Sequence, residues 1–294
     1  MAPPAHASSG DDVPRALLGM MASGLSFALM GASVKLAGDL PVAVKVCCRN
    51  LVTLVLTSAV AWRTRQNPFA TTPHLPRLLL RAVCGLGGVY FYFVALGSLN
   101  LADASLLNKT SPFFATLLAV LLLKERLVRG MVPALVIAFL GAALVIKPAF
   151  EYAPLPALAG FTSGIFAGAA YTAVRSLKGR IEPNRIIFWF SLVSTLATLP
   201  VVLLARPDPT PGQWWALVGT GVFAAGGQYG LTYAYHHARV GKVSVFAYLH
   251  VLFALVVGFV LWGERPDLLS LLGGLLIVGA AVLAHRAGTR QEPA

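Results

Sequence analysis

Charge is scarce in this chain. Asp, Glu, Lys and Arg make up 12% of its 294 residues, against about 25% in an ordinary soluble domain. A cytosolic enzyme of this length would need roughly twice that surface charge. Acids are the scarcer sign, with 11 Asp+Glu against 23 Lys+Arg and a net charge of +12. Cysteine is rare too: Cys47, Cys48 and Cys84 lie in apolar runs without paired spacing, which indicates neither a disulfide framework nor a zinc site. Residues 1–14 carry Asp11 and Asp12 and no basic start, so they do not form a cleavable signal peptide. They read as a short, disordered tail.

What the chain has in abundance is apolar length. Hydrophobic residues make up 57% of the sequence and the mean hydropathy is +0.75. A hydrocarbon core of about 30 Å needs roughly 20 apolar residues per helix. Ten such runs follow one another at about 15–37, 41–62, 77–98, 102–123, 129–147, 155–177, 184–204, 212–236, 243–262 and 268–286. The loops between them are too short for a soluble domain. The fold expected is an all-α integral membrane protein of ten transmembrane helices.

The basic residues fall on one side of this layout. Taking both termini with the even-numbered loops, that side holds 16 of the 23 Lys and Arg and the other side holds 5, while the acids divide 5 and 6. The asymmetry lies in Lys and Arg, as the positive-inside rule requires, and it places both termini in the cytoplasm, most naturally of a bacterial inner membrane. Topology accounts for the net charge, so nucleic acid is not an expected partner.

The chain also repeats itself. With an offset of 139 and no gaps, residues 87–126 align on 226–265 with 10 identities in 40, among them Gly87/Gly226, Gly88/Gly227, Tyr90/Tyr229 and Glu125/Glu264. At an offset of 140, Ser23-Gly24 matches Ser163-Gly164 and Val34-Lys35 matches Val174-Arg175. Residues 15–147 form a first five-helix repeat, 148–154 a connecting loop and 155–286 a second five-helix repeat, with 287–294 a second cytoplasmic tail. Five is odd, so the second repeat enters the membrane inverted, an architecture used by many secondary transporters. A duplication with no transport role is the plainer alternative.

The 5+5 layout, the run Pro112…Leu122-Leu123-Lys124-Glu125-Arg126-Leu127, the Gly141-Ala142-Ala143 stretch and its echo in Gly263-Glu264-Arg265 and Gly279-Ala280-Ala281, and Arg49 in the second helix together resemble the drug/metabolite transporter superfamily, EamA type. Val251, not proline, is the counterpart of Pro112, so any proline kink is one-sided. The resemblance implies outward carriage of amino acids, metabolites or drugs, by uniport or proton linkage, around a central cavity between helices 3, 4, 8 and 9. It is similar in particular to YddG-type exporters of aromatic amino acids.

Ionisable groups at bilayer depth are costly and are functional candidates by default. All 11 acids fall in loops, tails or helix ends, which counts against a pump for cations and against a carboxylate proton relay. The polar residues inside are basic or neutral: Arg49, Asn108, Lys109, Gln228 and His250. Arg49 reads either as a structural arginine bonded to backbone carbonyls or as the counter-charge for a substrate carboxylate. In the fourth helix Ser105, Asn108, Lys109, Pro112 and Thr116 follow helical spacing, and such a stripe faces a cavity or other helices, not lipid. Tyr229 and Tyr233 share a face of the eighth helix. In the ninth, Tyr248 is the repeat counterpart of Lys109, and His250 is either a packing residue or a group coupled to substrate or proton. Glu125 and Glu264 read as structural residues at opposite ends of equivalent helices. Trp189 fits either an aromatic belt or a cavity wall with Tyr171.

Basic and neutral donors (Arg49, Lys109, Asn108, Gln228, His250) beside aromatic walls (Tyr90, Tyr171, Tyr229, Tyr233, Tyr248) favour a ligand with a carboxylate and an apolar body. The expected substrate is therefore an amino acid or related small metabolite, large neutral or aromatic; an exporter of lipids or drug-like amphiphiles is the alternative. No catalytic motif is present, so the chain is not expected to be an enzyme. No cofactor or metal is implied. The partners expected are a small-molecule substrate and the lipid bilayer, with the oligomeric state open, a monomer included.

Overall fold

A computed structural model describes residues 12–123, 131–146, 154–177, 179–237 and 244–289. All regular structure among the described residues is helical: α1 (Val13–Leu36), α2 (Val42–Arg63), α3 (Leu75–Leu96), α4 (Leu101–Asn108), α5 (Ser111–Leu123), α6 (Met131–Ile146), α7 (Pro154–Leu177), α8 (Pro183–Ala205), α9 (Pro211–His237), a 3-10 turn (Ser244–Tyr248), α10 (Leu249–Trp262) and α11 (Leu268–Thr289). Five helices within this set, Pro14–Leu36, Val42–Arg63, Leu75–Leu96, Pro154–Val174 and Pro183–Ala205, are long and apolar enough to cross a membrane, and Phe246–Trp262 and Leu268–Ala280 are shorter apolar helices.

Among the described residues one span is discontinuous, which its apolar run did not reveal. The fourth is α4 followed by α5, whereas the described part of the ninth opens with the 3-10 turn and runs directly into α10, Tyr248 keeping helical dihedrals (φ −74°, ψ −14°). The stripe read along one unbroken fourth helix is therefore split at Lys109-Thr110. Pro112 sits in the first turn of α5, where a missing N–H is harmless, instead of kinking a continuous helix.

The ends of the helices are set by local chemistry. Asp12 caps α1 by accepting from the Arg15 amide at 3.1 Å. Thr210 and Gln213 bracket the start of α9, with the Thr210 amide donating to Gln213 Oε1 at 2.9 Å and the Gln213 amide to Thr210 Oγ1 at 3.4 Å, a capping box. The same Gln213 side chain donates to the Ala37 carbonyl at 3.2 Å, tying the first loop to the fourth odd-numbered loop. At the end of α10, Gly263 takes φ +65° and the Glu264 amide returns to the Gly258 carbonyl at 3.2 Å. This Schellman turn aims Glu264 back across the end of the bundle.

Packing follows the repeat. α1 lies against α9 and α3 against α7; α2 pairs with α8 and α6 with α11; α7 backs α5 as α1 backs α10. Exchanging each span for its counterpart maps this set of contacts onto itself, as a pseudo-two-fold axis requires. Small residues allow the close approaches. Ser23 Oγ donates to the Gly227 carbonyl at 2.7 Å, while a Cβ on Gly88 would lie 3.5 Å from the carbonyl of Ser163. These are counterpart pairs from the two repeats. Large apolar side chains such as Leu18, Val55, Leu80, Leu203, Val260 and Leu275 point outward, as lipid contact demands. Trp62, Trp214, Trp215 and Trp262 are exposed near helix ends, where an aromatic belt sits. Trp189 instead donates its indole N–H to the Pro68 carbonyl at 3.0 Å and meets Phe69 edge-on, anchoring the loop between α2 and α3.

Candidate substrate site

The break in the fourth span meets the 3-10 turn that opens the described part of the ninth. Lys109 leaves the α-helical path at φ −74°, ψ 5°, and the backbone groups released there find new partners. The Leu107 carbonyl accepts from Thr110 Oγ1 at 2.7 Å. The Lys109 carbonyl accepts from the Tyr248 hydroxyl at 3.1 Å, and Tyr248 ends that 3-10 turn. Broken backbone at membrane depth persists only inside protein or beside a polar cavity, and discontinuous spans around a repeat axis are where carriers place their ligands.

Neighbours fix the crossing. Asn108 Nδ2 donates to Ser163 Oγ at 3.0 Å, and that hydroxyl donates to the Gly160 carbonyl at 2.6 Å. Tyr92 and Ser105 share a buried hydroxyl–hydroxyl bond of 3.0 Å. Gly164 leaves room for the break in the fourth span, since a Cβ there would strike Thr110 Oγ1 and lie 3.0 Å from the Leu107 carbonyl. Its counterpart Gly24 leaves room for the ninth, where a Cβ would lie 3.1 Å from the His250 amide nitrogen. His250 is buried, with its ring 6.1 Å from Phe27 in an edge-on contact, and close enough to Lys109 to feel its charge. No carboxylate pairs with Lys109 among the described residues.

A second basic group lies between α2, α3 and α8. Arg49 is 2% exposed and Arg81 6% exposed. Their guanidinium carbons stand 5.1 Å and 4.4 Å from the centre of one ring, Phe190. Arg49 Nη1 donates to the neutral Asn50 at 2.6 Å. Among the described residues, Arg49 Nε, Arg81 Nε and Arg81 Nη1 are buried without a hydrogen-bond partner, and neither group forms an ion pair with a carboxylate. Burying an unpaired cation costs on the order of several kcal/mol. The shared ring offsets only part of that, about 0.5–2 kcal/mol per cation–π contact. Tyr171 on α7 shares a face with the buried Gly164 and Gly168 and is itself 42% exposed.

The structure thus brings Lys109 and Tyr248 together, with Asn108 and His250 close by along the chain, and holds Arg49 in the separate basic group around Phe190. Pro112 serves the break. Tyr229 is occupied in a bridge, donating to Asn184 Oδ1 at 2.8 Å while Asn184 Nδ2 donates to the Thr57 carbonyl at 3.2 Å. Gln228 is half-buried on α9. Tyr90 and Tyr233 are not brought to the cluster: both are substantially exposed, Tyr90 on the side of α3 away from its buried face and Tyr233 at the seam of α9 with Gly19 of α1. Glu125 lies outside the described residues. Glu264 pairs with Lys35 and accepts from the Leu101 amide at 2.7 Å, so one carboxylate links α1, the start of α4 and the end of α10. Lys35 also donates to the Leu99 carbonyl at 3.1 Å.

Arg81 is the residue that sequence reasoning missed. It stands at the edge of an apolar run and reads as one more interfacial charge. The available signal was its register: Leu78, Arg81, Ala82, Gly85 and Gly88 form one buried face of α3. A Cβ on Gly85 would collide with Arg81 Nη1 and the Phe190 ring, so this glycine reserves the space the guanidinium occupies.

The profile of the EamA-like transporter family matches residues 14–147 and again 155–286. The chain belongs to that family. This EamA-like transporter is 36% identical over 279 residues to the pseudopaline exporter CntI of Pseudomonas aeruginosa, covering 92% of this chain and 95% of that one. It is 30% identical over 220 residues to a riboflavin transporter of Rhizobium johnstonii, covering 74% and 72% of the two chains. A crystal structure 20% identical in sequence superposes with a TM-score of 0.68 over 95% of this chain and 99% of the other, a likeness of fold. The molecule is accordingly an integral membrane transporter of small molecules and not an enzyme, built as two inverted five-helix repeats.

Proposed function

We propose that this transporter carries amino acids or amino-acid-derived metabolites, with a carboxylate held by the buried cations and an apolar or aromatic body against the neighbouring rings. The observation that carries the reading is the charge inventory at membrane depth. Arg49 and Arg81 are buried and Lys109 is half-buried inside the bundle. Asp103 at the start of α4 is the buried carboxylate among the described residues, and none of these residues places a carboxylate in an ion pair with the three cations. A low-dielectric interior of that sign favours an anionic group on the ligand. The site is proposed to lie at the crossing of the fourth and ninth spans, near Asn108, Lys109, Tyr248 and His250, with Arg49 and Tyr171 as further contacts. Alternating access follows from rocking one repeat against the other about that crossing. The excess of Lys and Arg in the loops supports cytoplasmic termini, and the relative named an exporter supports outward movement. The test is counterflow of labelled phenylalanine and threonine in proteoliposomes. Saturable uptake that falls in Lys109→Ala is the expected result; no saturable uptake of either, nor of labelled glutamate, sends the substrate class to lipids or drug-like amphiphiles.

A further inference from the structure

We infer that the Arg49–Arg81 pair is a dianion site, so that the favoured substrates carry two carboxylates and not one. This rests on the carrier reading above and narrows its substrate class. One carboxylate engages one guanidinium fork, which presents two parallel N–H donors. Here two forks approach a single aromatic ring, both guanidiniums are more than nine-tenths buried, and three of their nitrogens have no partner among the described residues. Arg49 donates to the neutral Asn50. A monocarboxylate would leave one cation unbalanced in a medium that penalises it.

The surroundings fit a ligand with separated acidic groups. The Phe190 ring, which both guanidiniums approach, is an apolar face suited to the carbon chain linking two carboxylates. One turn further along α8, Ser194 presents a buried hydroxyl without a partner among the described residues, as do Ser191 and Thr195. These can donate to carboxylate oxygens that the forks leave unfilled. The second repeat has no matching pair: the counterparts of Arg49 and Arg81 at an offset of 139 are Phe188 and Thr220. The dianion site is thus an asymmetric addition to a symmetric frame, which is how specificity is laid on a shared fold.

The test uses the full chain purified in detergent and, separately, in proteoliposomes. Thermal unfolding is followed with glutarate, butyrate or inorganic phosphate added, in wild type, Arg81→Gln and the surface control Arg15→Gln. Glutarate is expected to raise the Tm of wild type and of Arg15→Gln in a saturable way at concentrations at least tenfold below any effect of butyrate. Arg81→Gln is expected to bring glutarate to the level of butyrate. In proteoliposomes, labelled glutamate should exchange in preference to phenylalanine in wild type, with the preference falling at least tenfold in Arg81→Gln. Should Arg81→Gln fail to fold, Arg81→Lys takes its place: the charge is kept and the fork is lost, so glutarate should weaken without butyrate changing. Phosphate stabilising better than glutarate would overturn the dicarboxylate assignment. Equal effects of glutarate and butyrate in wild type would overturn the paired site even if phenylalanine exchange showed the carrier reading to be right. Glutarate binding that depends on Arg81, without exchange of any amino acid, would uphold the site and sink the carrier reading instead.

Discussion

The Tyr248 hydroxyl donates at 3.1 Å to the carbonyl of Lys109, and each residue is the other's counterpart one repeat away. Counterparts touch only where the pseudo-two-fold axis passes, so this bond marks the axis, where the fourth span is broken and the ninth passes from 3-10 to α-helix. Tyr248→Phe removes the donor and leaves a buried carbonyl unsatisfied, a cost of about 1–3 kcal/mol. A lower Tm together with reduced counterflow is the expected outcome. An unchanged Tm would mean that the Lys109 carbonyl is satisfied in some other way.

Gly24 and Gly164 should respond alike. Each seats a helix of one repeat against a span of the other, with a Cβ on Gly24 3.1 Å from the His250 amide nitrogen and one on Gly164 3.0 Å from the Leu107 carbonyl. Backbone cannot yield as a side-chain tip can, so overpacking of about 1–3 kcal/mol is expected for either alanine. Thermal unfolding of Gly24→Ala and Gly164→Ala measures it. One variant stable and the other crippled would contradict the symmetric reading.

Glu264 does two jobs that substitution can separate. Its ion pair with Lys35 needs the charge, whereas its cap on the Leu101 amide needs only an oxygen. Glu264→Gln should therefore retain the cap and lose the pair, and Glu264→Ala should lose both and be the less stable by about 0.5–2 kcal/mol. A thermodynamic cycle with Lys35→Met isolates the pair. Coupling near zero would show that the ion pair does not hold this end of the bundle.

Phe190→Leu tests what stabilises the arginine pair. Leucine keeps an apolar side chain at this position but has no ring quadrupole, so the variant should lose about 0.5–2 kcal/mol for each desolvated cation–π contact. The loss should shrink in an Arg81→Gln background. Equal losses in both backgrounds would make the effect simple packing.

The ten spans and the repeat were legible in the sequence because bilayer thickness and inverted insertion leave marks on every helix: apolar length, breakers at the ends, and matched glycines. The break in the fourth span was not, since a run such as Leu101 to Leu123 is equally apolar whether the helix continues or stops at Lys109; Pro112 was the only hint of it. Lys109, Asn108 and Tyr248 could be chosen as site residues because polar groups stand out against an apolar run. Tyr90 and Tyr233 could not be told from cavity residues, since an aromatic ring is at home facing lipid, interface or ligand alike. Arg81 was hidden by its place near a helix end, where a basic residue normally snorkels; only its alignment with Gly85 and Gly88 on one packed face shows that it turns inward.

The most direct measurement is the accessibility of position 108. With Cys47, Cys48 and Cys84 replaced, Asn108→Cys in oriented membranes is treated with a membrane-impermeant thiol reagent from each face in turn, with and without labelled substrate on the opposite side. Modification from both faces, slowed by substrate, is what a crossing that opens alternately to either side predicts. Labelling from one face alone under every condition would contradict it.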